Sequence, residues 1–354
     1  MSQVRLRSAL ALVLGAGLAF SGGSGSRALA LEAEILSFAD LDGWDDEDHA
    51  EAFAVFQSTC PDLTAPDWVV VCAFATSNPE PRAFFELFFR PVRLSGRQPV
   101  LFTGYFEPEL RAASEPDKFY KYPVYRLPPE LGPEGSAVGN GPTRAEIDEQ
   151  GVLDGRGLEI AWLRDPVDLY FLQIQGSGRL RMRGGSILRL GYAGQNGHPR
   201  RSIASELVRQ GVYEPHQVSG AVIRNWVRRN AEEGRELLNH DPSYVFFREL
   251  DALPGDDGPL GAMNRPLTAG RSIAVDPQVY PLGAPIWVEK EGETPKRRLM
   301  IAQDTGGAIR GPRRADLFLG TGAEAGEKAA RIRDHGQMVA LLPIEQAYSY
   351  ALGY

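Results

Sequence analysis

The most constraining feature of the sequence is a glycine-rich segment at residues 304–311, which begins with Asp304 and is followed by Asp316. Apolar runs at 299–302 and 317–320 flank this pair of acids, and short apolar runs predict buried β-strands. Glycine permits the tight backbone bend that a turn between such strands requires. Two carboxyl groups at the ends of adjacent strands suit acid–base chemistry on a polymer. An ordinary β-hairpin with solvated acids in its turn explains the pattern equally well.

The amino terminus has the composition of an export signal. Arg5 and Arg7 precede an apolar run at 9–20, and small residues lead up to Ala30. This order of basic, apolar and small-residue regions predicts a signal peptide over residues 1–30. A membrane anchor is the alternative, but the run is shorter than the roughly 20 apolar residues that a span needs. We therefore expect an exported protein.

Net charge and cysteine content narrow the class of partner and the compartment. The formal charge is −8, and residues 1–30 contain three arginines and no acid, so the remainder carries −11. A surface this acidic disfavours nucleic acid as a partner. Cys60 and Cys72 are candidates for one disulfide in an oxidising compartment, with two buried free thiols as the alternative. Closing that loop would contribute about 2–3 kcal/mol in the chain-entropy model.

Hydrophobic periodicity predicts strands around Val100, at 167–172 and through the last third of the chain, and one long helix at 218–238. Residues 193–197 have the polar, glycine-containing composition of a turn. Gly104 lies inside the strand near Val100 and predicts a bulge or the close approach of another group. These patterns favour a mainly β fold with peripheral helices.

Carboxyl groups are the remaining candidates for chemistry once other motifs are excluded. The sequence contains no phosphate-binding loop, dinucleotide fingerprint or nucleophile elbow. Its five histidines lack metal-ligand spacing, so we expect neither a metal nor a cofactor. Residues 304–306 match the Asp-Thr-Gly tripeptide of aspartic proteases, but those enzymes need two such loops and the chain has one. Polar loops at 173–178 and 192–197 offer the amide and hydroxyl groups that suit a glycan.

Five motifs, in order, resemble those of the membrane-bound lytic transglycosylase A family. They are residues 103–108 (TGYFEP), 143–147 (TRAEI), 174–178 (IQGSG), 192–197 (YAGQNG), and a final segment from 272–276 (SIAVD) through 304–309 (DTGGAI) to Asp316. The resemblance implies a double-psi β-barrel domain made from residues 31–107 and 246–354. It also implies an inserted β-rich domain at 108–245, with a groove between the two for a peptidoglycan strand.

The same resemblance implies roles for individual residues. Asp316 is the expected catalytic acid and base, with Asp304 as its supporting neighbour. The expected glycan contacts are Thr103, Tyr105, Glu107, Gln175, Ser177, Gln195 and Asn196. The implied reaction cleaves the β-1,4 bond between N-acetylmuramic acid and N-acetylglucosamine and leaves a 1,6-anhydro end. A non-catalytic, expansin-like peptidoglycan-binding protein on the same barrel is the alternative.

Partners and location follow from the resemblance as further expectations. Peptidoglycan strands are the expected partner, proteins of cell-wall synthesis or division are additional candidates, and the chain is expected to be a monomer. Known members of the family are lipoproteins, whereas this sequence has no Cys near Ala30. We therefore expect a soluble periplasmic form, with outer-membrane association as the alternative.

Overall fold

The strands form two sheets in the computed structural model, which describes residues 33–132, 141–250 and 257–352. The larger sheet contains, in spatial order, β1 (Glu34–Ile35), β2 (Phe89–Arg93), β14 (Arg333–Pro343), β11 (Pro285–Lys290), β12 (Lys296–Asp304), β10 (Ser272–Ala274), β13 (Arg314–Thr321) and β3 (Val100–Glu107). The smaller sheet contains, in spatial order, β5 (Tyr122–Tyr125), β6 (Glu159–Leu163), β4 (Glu109–Ala113), β7 (Gly178–Met182), β8 (Ile187–Gln195) and β9 (Val245–Glu249). The predicted signal peptide at residues 1–30 lies outside the described residues.

Helices surround both sheets. They are α1 (His49–Thr59), α2 (Pro66–Ala75), α3 (Pro81–Phe88), α4 (Arg144–Asp148), α5 (Pro166–Gln175), α6 (Ile203–Arg209), α7 (Gly220–Arg229), α8 (Ala231–Asn239), α9 (Gly322–Arg331) and α10 (Ile344–Leu352). None of these described helices combines the length and the apolar character that a membrane crossing requires. A disulfide joins Cys60, directly after α1, to Cys72 in α2, with the two Cα atoms 5.3 Å apart.

The larger sheet closes on itself. β14 pairs with β11 along one edge and with β3 along the other, so the ring runs through β3, β13, β10, β12, β11 and β14. Closure leaves these strands without a free edge, and one continuous apolar core lies inside the ring and beneath α1, α2 and α3. The predicted pairing of the strand near Val100 with the last third of the chain is thus present. The double-psi crossover and the domain boundaries stay predictions.

The smaller sheet lies, in chain order, between β3 and β10. It curls until a single bridge joins Arg126, next to β5, to Phe247 in β9. Its interior is an apolar cluster separate from that of the ring. β3 leads into β4 across Pro108 alone, so the two sheets are covalently adjacent at that residue.

The prediction of a strand at 167–172 is wrong, because these residues belong to α5. Asp165 accepts a hydrogen bond from the backbone N–H of Val167, and Pro166 occupies the first helical position. Both features stabilise a helix start, and they outweigh the β propensity of the run. α5 ends at Gln175, and the next residue, Gly176, adopts the left-handed conformation that glycine tolerates.

Two other local predictions are also corrected. The helix expected at 218–238 is two helices, α7 and α8, because the backbone at Asn230 leaves the helical region with φ −125° and ψ 77°. The turn expected at 193–197 is mostly strand, since β8 continues through Gln195 and pairs with β9. Polar composition alone did not distinguish a turn from a paired strand here.

Gly104 permits the close approach that its position in β3 predicts. A Cβ atom at this residue would lie 2.8 Å from the Cα atom of Ala329 in α9, closer than packed carbon atoms allow. We expect Gly104→Ala to lower the free energy of unfolding by about 1–3 kcal/mol, because the α9 backbone must move away. Thermal unfolding measures this, with Gly184→Ala as the control, since a Cβ there meets no atom within 4 Å. Equal stability of the two variants would contradict the contact.

Candidate functional site

The register of three neighbouring strands brings the two predicted acids to one face of the ring. Ala274 in β10 is paired with Asp304 on β12 and with Asp316 on β13. Residues opposite one another in a sheet point to the same face. The neighbours of Asp316 along β13, Ala315 and Leu317, are buried in the core of the ring. The two carboxyl groups therefore lie on the outer face, one strand apart.

This arrangement excludes the simple hairpin. β12 and β13 flank β10 and do not pair with each other, so residues 305–313 form a crossover connection instead of a hairpin turn. Gly311 has φ +79°, and its N–H donates to Asp276 Oδ2 at 2.6 Å. A glycine and a second aspartate thus hold the connection in place. The expectation that both acids end adjacent strands is corrected, since Asp316 lies within β13.

Asp316 is half-buried and is held by the neighbouring strand. β3 pairs with β13 so that Thr103 stands opposite Asp316, and the Thr103 hydroxyl donates to Asp316 Oδ1 at 2.6 Å. Burial raises the pKa of Asp316 to about 6, against the lowering effects of the Thr103 hydrogen bond and the Arg314 charge. The negative charge of Asp304 raises this pKa further. A group that titrates near neutrality can both give and take a proton.

Asp304 is held more firmly than Asp316. Its Oδ2 accepts from the hydroxyl of Tyr105 at 2.8 Å, and its Oδ1 accepts from the backbone N–H groups of Ala262 and Thr305 at 3.0 and 2.9 Å. Burial raises the pKa of Asp304 to about 6, and these three hydrogen bonds lower it. Donors aimed at a carboxylate favour its ionised form.

The two carboxyl groups have similar pKa values but unequal surroundings. The carboxylate form of Asp304 has three donors, whereas Oδ2 of Asp316 accepts no hydrogen bond from any residue that the structure describes. Burial and the Asp304 charge raise the pKa of Tyr105 well above its usual value, so this phenol stays a donor. The arrangement suits one fixed carboxylate beside one carboxyl group whose free oxygen can exchange a proton with a ligand.

The expected glycan-contact residues divide into two groups in the structure. Thr103 and Tyr105 contact the acids directly, as described above. Gln175 ends α5 next to the same strand, and its Oε1 accepts from the backbone N–H of Phe106 at 3.1 Å. Ser177, two residues on, is half-buried. The Gln175 hydrogen bond therefore connects α5 to β3, the strand that carries Thr103 and Tyr105.

Glu107 and Asn196 have their polar atoms engaged within the protein. Glu107 is 1% exposed, and its carboxylate accepts from Arg179 Nε at 2.7 Å and from the Thr321 hydroxyl at 2.8 Å. Asn196 is fully buried, and its amide group bonds the backbone of other loops. Gln195 is half-buried at the end of β8. For Glu107 and Asn196 burial argues for a supporting role instead of direct ligand contact.

Two participants were missed at the level of sequence. Arg314 donates from Nη2 to the Thr103 hydroxyl at 2.8 Å. Arg314 stands two residues before Asp316. The predicted strand began at 317; a strand that began at Arg314 would have placed both side chains on one face, because residues two apart in a strand share a face. Ala262 follows a segment at 254–261 whose composition suggests a linker. Ala262 donates its backbone N–H to Asp304, and a backbone contact of this kind cannot be predicted from the type of side chain.

Comparison with known proteins places this geometry in a family. The model of the MltA specific insert domain matches residues 101–248, and the model of the 3D domain matches residues 271–342. Membrane-bound lytic murein transglycosylase A of Vibrio cholerae is 37% identical over 249 residues, which cover 68% of this chain and 64% of that relative. The match thus spans somewhat less than two thirds of the length of this relative.

Solved structures extend the similarity to nearly the whole chain. A membrane-bound lytic murein transglycosylase from Agrobacterium tumefaciens superposes with a TM-score of 0.80 and 34% identity, covering 90% of this chain and 99% of that one. The structure of Escherichia coli MltA with bound chitohexaose superposes with a TM-score of 0.69 and 28% identity, covering 84% of this chain and 90% of that one. On the identity and coverage of the Agrobacterium protein, this chain belongs to the membrane-bound lytic murein transglycosylase A family.

Proposed function

We propose that the chain is an exported murein lytic transglycosylase with Asp316 as its acid and base. The observation that carries this proposal is the half-buried Asp316 carboxyl, with a pKa of about 6 and one oxygen that accepts no hydrogen bond from a described residue. Relatives named as lytic murein transglycosylases, and one neighbour with bound chitohexaose, support a glycan strand as the substrate. The proposed location is the periplasm, because residues 1–30 have the pattern of an export signal.

The proposed reaction needs a single mobile proton. Protonated Asp316 donates to the glycosidic oxygen between N-acetylmuramic acid and N-acetylglucosamine, and the bond from C1 of the muramoyl unit to that oxygen breaks. The Asp316 carboxylate then takes the proton from the muramoyl 6-hydroxyl, whose oxygen bonds to C1. The products are a 1,6-anhydro end and a free 4-hydroxyl, and no water is consumed. Because the nucleophile is part of the substrate, no second carboxylate has to activate water.

The neighbours of Asp316 suit this cycle. Burial favours the protonated form with which the reaction starts, and the charge of Asp304 works in the same direction. Thr103 stabilises the carboxylate that forms when the proton leaves. Asp304, fixed by Tyr105 and two backbone donors, supplies a negative charge near the developing positive charge on the sugar ring.

The domain arrangement is proposed on the same basis. Residues 31–107 and 246–354 would form a double-psi β-barrel domain, and 108–245 an inserted domain. The closed ring, the separate core of the smaller sheet and the contact of Gln175 with β3 support this division. A glycan strand would then lie on the outer face of the ring that carries Asp316, next to the inserted domain that Gln175 joins to β3.

Digestion of purified sacculi tests the proposed function. We expect mass spectrometry of the soluble products to show muropeptides with 1,6-anhydro ends, 18 Da lighter than hydrolysed ones because no water is added. Products with reducing ends would indicate a hydrolase. Co-sedimentation with sacculi without any released product would indicate a binding protein and would contradict the proposal.

A further inference from the structure

We propose that Arg314 is a positioning residue, which acts through Thr103 to hold the Asp316 carboxyl group so that its acidic proton resides on Oδ2. The inference rests on the proposed function, in that Asp316 is taken as the acid and base. The inference adds that Oδ2 of Asp316 carries the proton and that Arg314 determines this position.

The direction of two hydrogen bonds carries the argument. Arg314 Nη2 lies 2.8 Å from Thr103 Oγ1, which in turn lies 2.6 Å from Asp316 Oδ1. A guanidinium group can only donate, and a hydroxyl group has a single proton. Thr103 must therefore accept from Arg314 and donate its own proton to Asp316. This donation makes Oδ1 an acceptor, and the proton of neutral Asp316 is left on Oδ2.

Arg314 is itself held in place. Its Nη1 donates to the backbone carbonyl of Ala315 at 2.7 Å, and the side chain is half-buried between β13 and β3. Burial lowers the pKa of the Arg314 guanidinium, but arginine stays charged in proteins. Arg314 and Asp316 lie on the same face of β13, since they are two residues apart in a strand. The donor is therefore fixed in position and cannot reverse its role.

The charged groups around Asp316 come from several elements. Arg314 on β13 lowers the pKa of Asp316, and Asp304 on β12 raises it. The charges of both acids raise the pKa of Tyr105 on β3. Arg333 on β14 stands opposite Thr103 in the sheet, and its positive charge lowers the pKa of Arg314. β10 contains no titratable residue, and α9 packs with buried Ala325 and Ala329, while its Glu324 and Lys328 pair on the exposed side. Among the described residues, Arg314 is thus the cation that hydrogen bonds link to Asp316, through the Thr103 hydroxyl.

The consequence for the reaction is that one oxygen serves both steps. Oδ2 donates the proton to the glycosidic oxygen and then accepts the proton of the 6-hydroxyl, while Oδ1 keeps its bond to Thr103 throughout. The carboxyl group need not rotate between the steps, and the orientation of its reactive oxygen is fixed before substrate binds. Preorganised hydrogen bonds of this kind reduce the reorganisation that a reaction requires.

Three substitutions separate this link from simple charge. Arg314→Met removes the donor and the charge, Arg314→Lys keeps both, and Thr103→Val removes the hydroxyl. The Thr103 hydrogen bond and the Arg314 charge both lower the pKa of Asp316, so losing either raises it. An acid works while protonated, so the fall of kcat/KM with rising pH should move to higher pH. We expect a shift of about one pH unit and a roughly tenfold lower kcat/KM, the size of one hydrogen bond to a charged group.

The experiment measures kcat/KM against pH and, independently of turnover, the carboxyl carbon resonance of Asp316 by NMR titration, identified by its absence in Asp316→Asn. Thermal unfolding checks that each variant is folded. The proposal expects Arg314→Met and Thr103→Val each to raise the Asp316 pKa, their double variant to raise it by less than the sum of the two single shifts, and Arg314→Lys to stay close to wild type. Additive shifts in the double variant, or no shift in Arg314→Met, would overturn it. Should Asp316→Asn keep its activity, the proposed function fails, yet the titration still decides the Arg314–Thr103 link.

Discussion

Replacement of Asp316 by asparagine should abolish release of anhydro-muropeptides from sacculi while leaving binding to sacculi intact. Asparagine matches the shape of aspartate and can still accept from Thr103, but it can neither donate an acidic proton nor take one up. A general acid or base contributes about 100- to 10,000-fold to a rate, and the same group is proposed for both roles. We therefore expect at least about a 1000-fold loss of the initial rate.

Two matched variants give this result its meaning. Asp46→Asn makes the same chemical change at an exposed aspartate far along the chain from the site and should retain the wild-type rate. Asp304→Asn removes the fixed charge but leaves the proton carrier, so its loss should be smaller than that of Asp316→Asn. Product release is measured by chromatography of the soluble fraction and binding by co-sedimentation. If Asp304→Asn were the more damaging change, the two roles would have to be exchanged.

The sequence predicted the ring and the acid pair better than it predicted the smaller sheet. Strand β3 and the strands of the last third are apolar runs with a clear pattern, and they form the ring as expected. Gly104 signalled a close approach, and α9 supplies it. The helix at 167–172 was missed because its apolar residues also suit a strand, and the start signals at Asp165 and Pro166 decide between the two.

The chemistry of the site depends on contacts that sequence spacing cannot show. Thr103 and Asp316 are 213 residues apart, and only the pairing of β3 with β13 reveals that they share a hydrogen bond. Glu107 is a second example. Its motif predicts a glycan contact, and the structure adds that its carboxylate is buried, bonded to Arg179 and 3.4 Å from Arg189. Motifs mark which residues matter, and packing decides what each residue does.

Glu107→Gln should be the most destabilising of the proposed polar substitutions. The Glu107 carboxylate is bonded to Arg179 on β7 and to Thr321 at the end of β13, and Arg189 on β8 lies 3.4 Å away. Since β3 and β13 belong to the ring and β7 and β8 to the smaller sheet, this one side chain ties the two sheets together. Glutamine removes the negative charge and turns a donor toward the arginines. Losing one partner of a buried ion pair costs about 3–5 kcal/mol.

Urea unfolding measures this loss, and Glu109→Gln is the matched control. Glu109 forms a salt bridge with Arg181 at 2.6 Å, and each of these residues lies two positions after its counterpart in the Glu107–Arg179 pair. Both side chains of the Glu109–Arg181 pair are well exposed. Exposed pairs contribute at most about 1 kcal/mol, because water screens them and holding them in place costs side-chain entropy. Hydrogen exchange in Glu107→Gln should increase at β7 and β8 before it increases in the ring, since the smaller sheet would loosen first. A variant of unchanged stability but raised KM for sacculi would instead show that Glu107 contacts the glycan, as its motif first suggested.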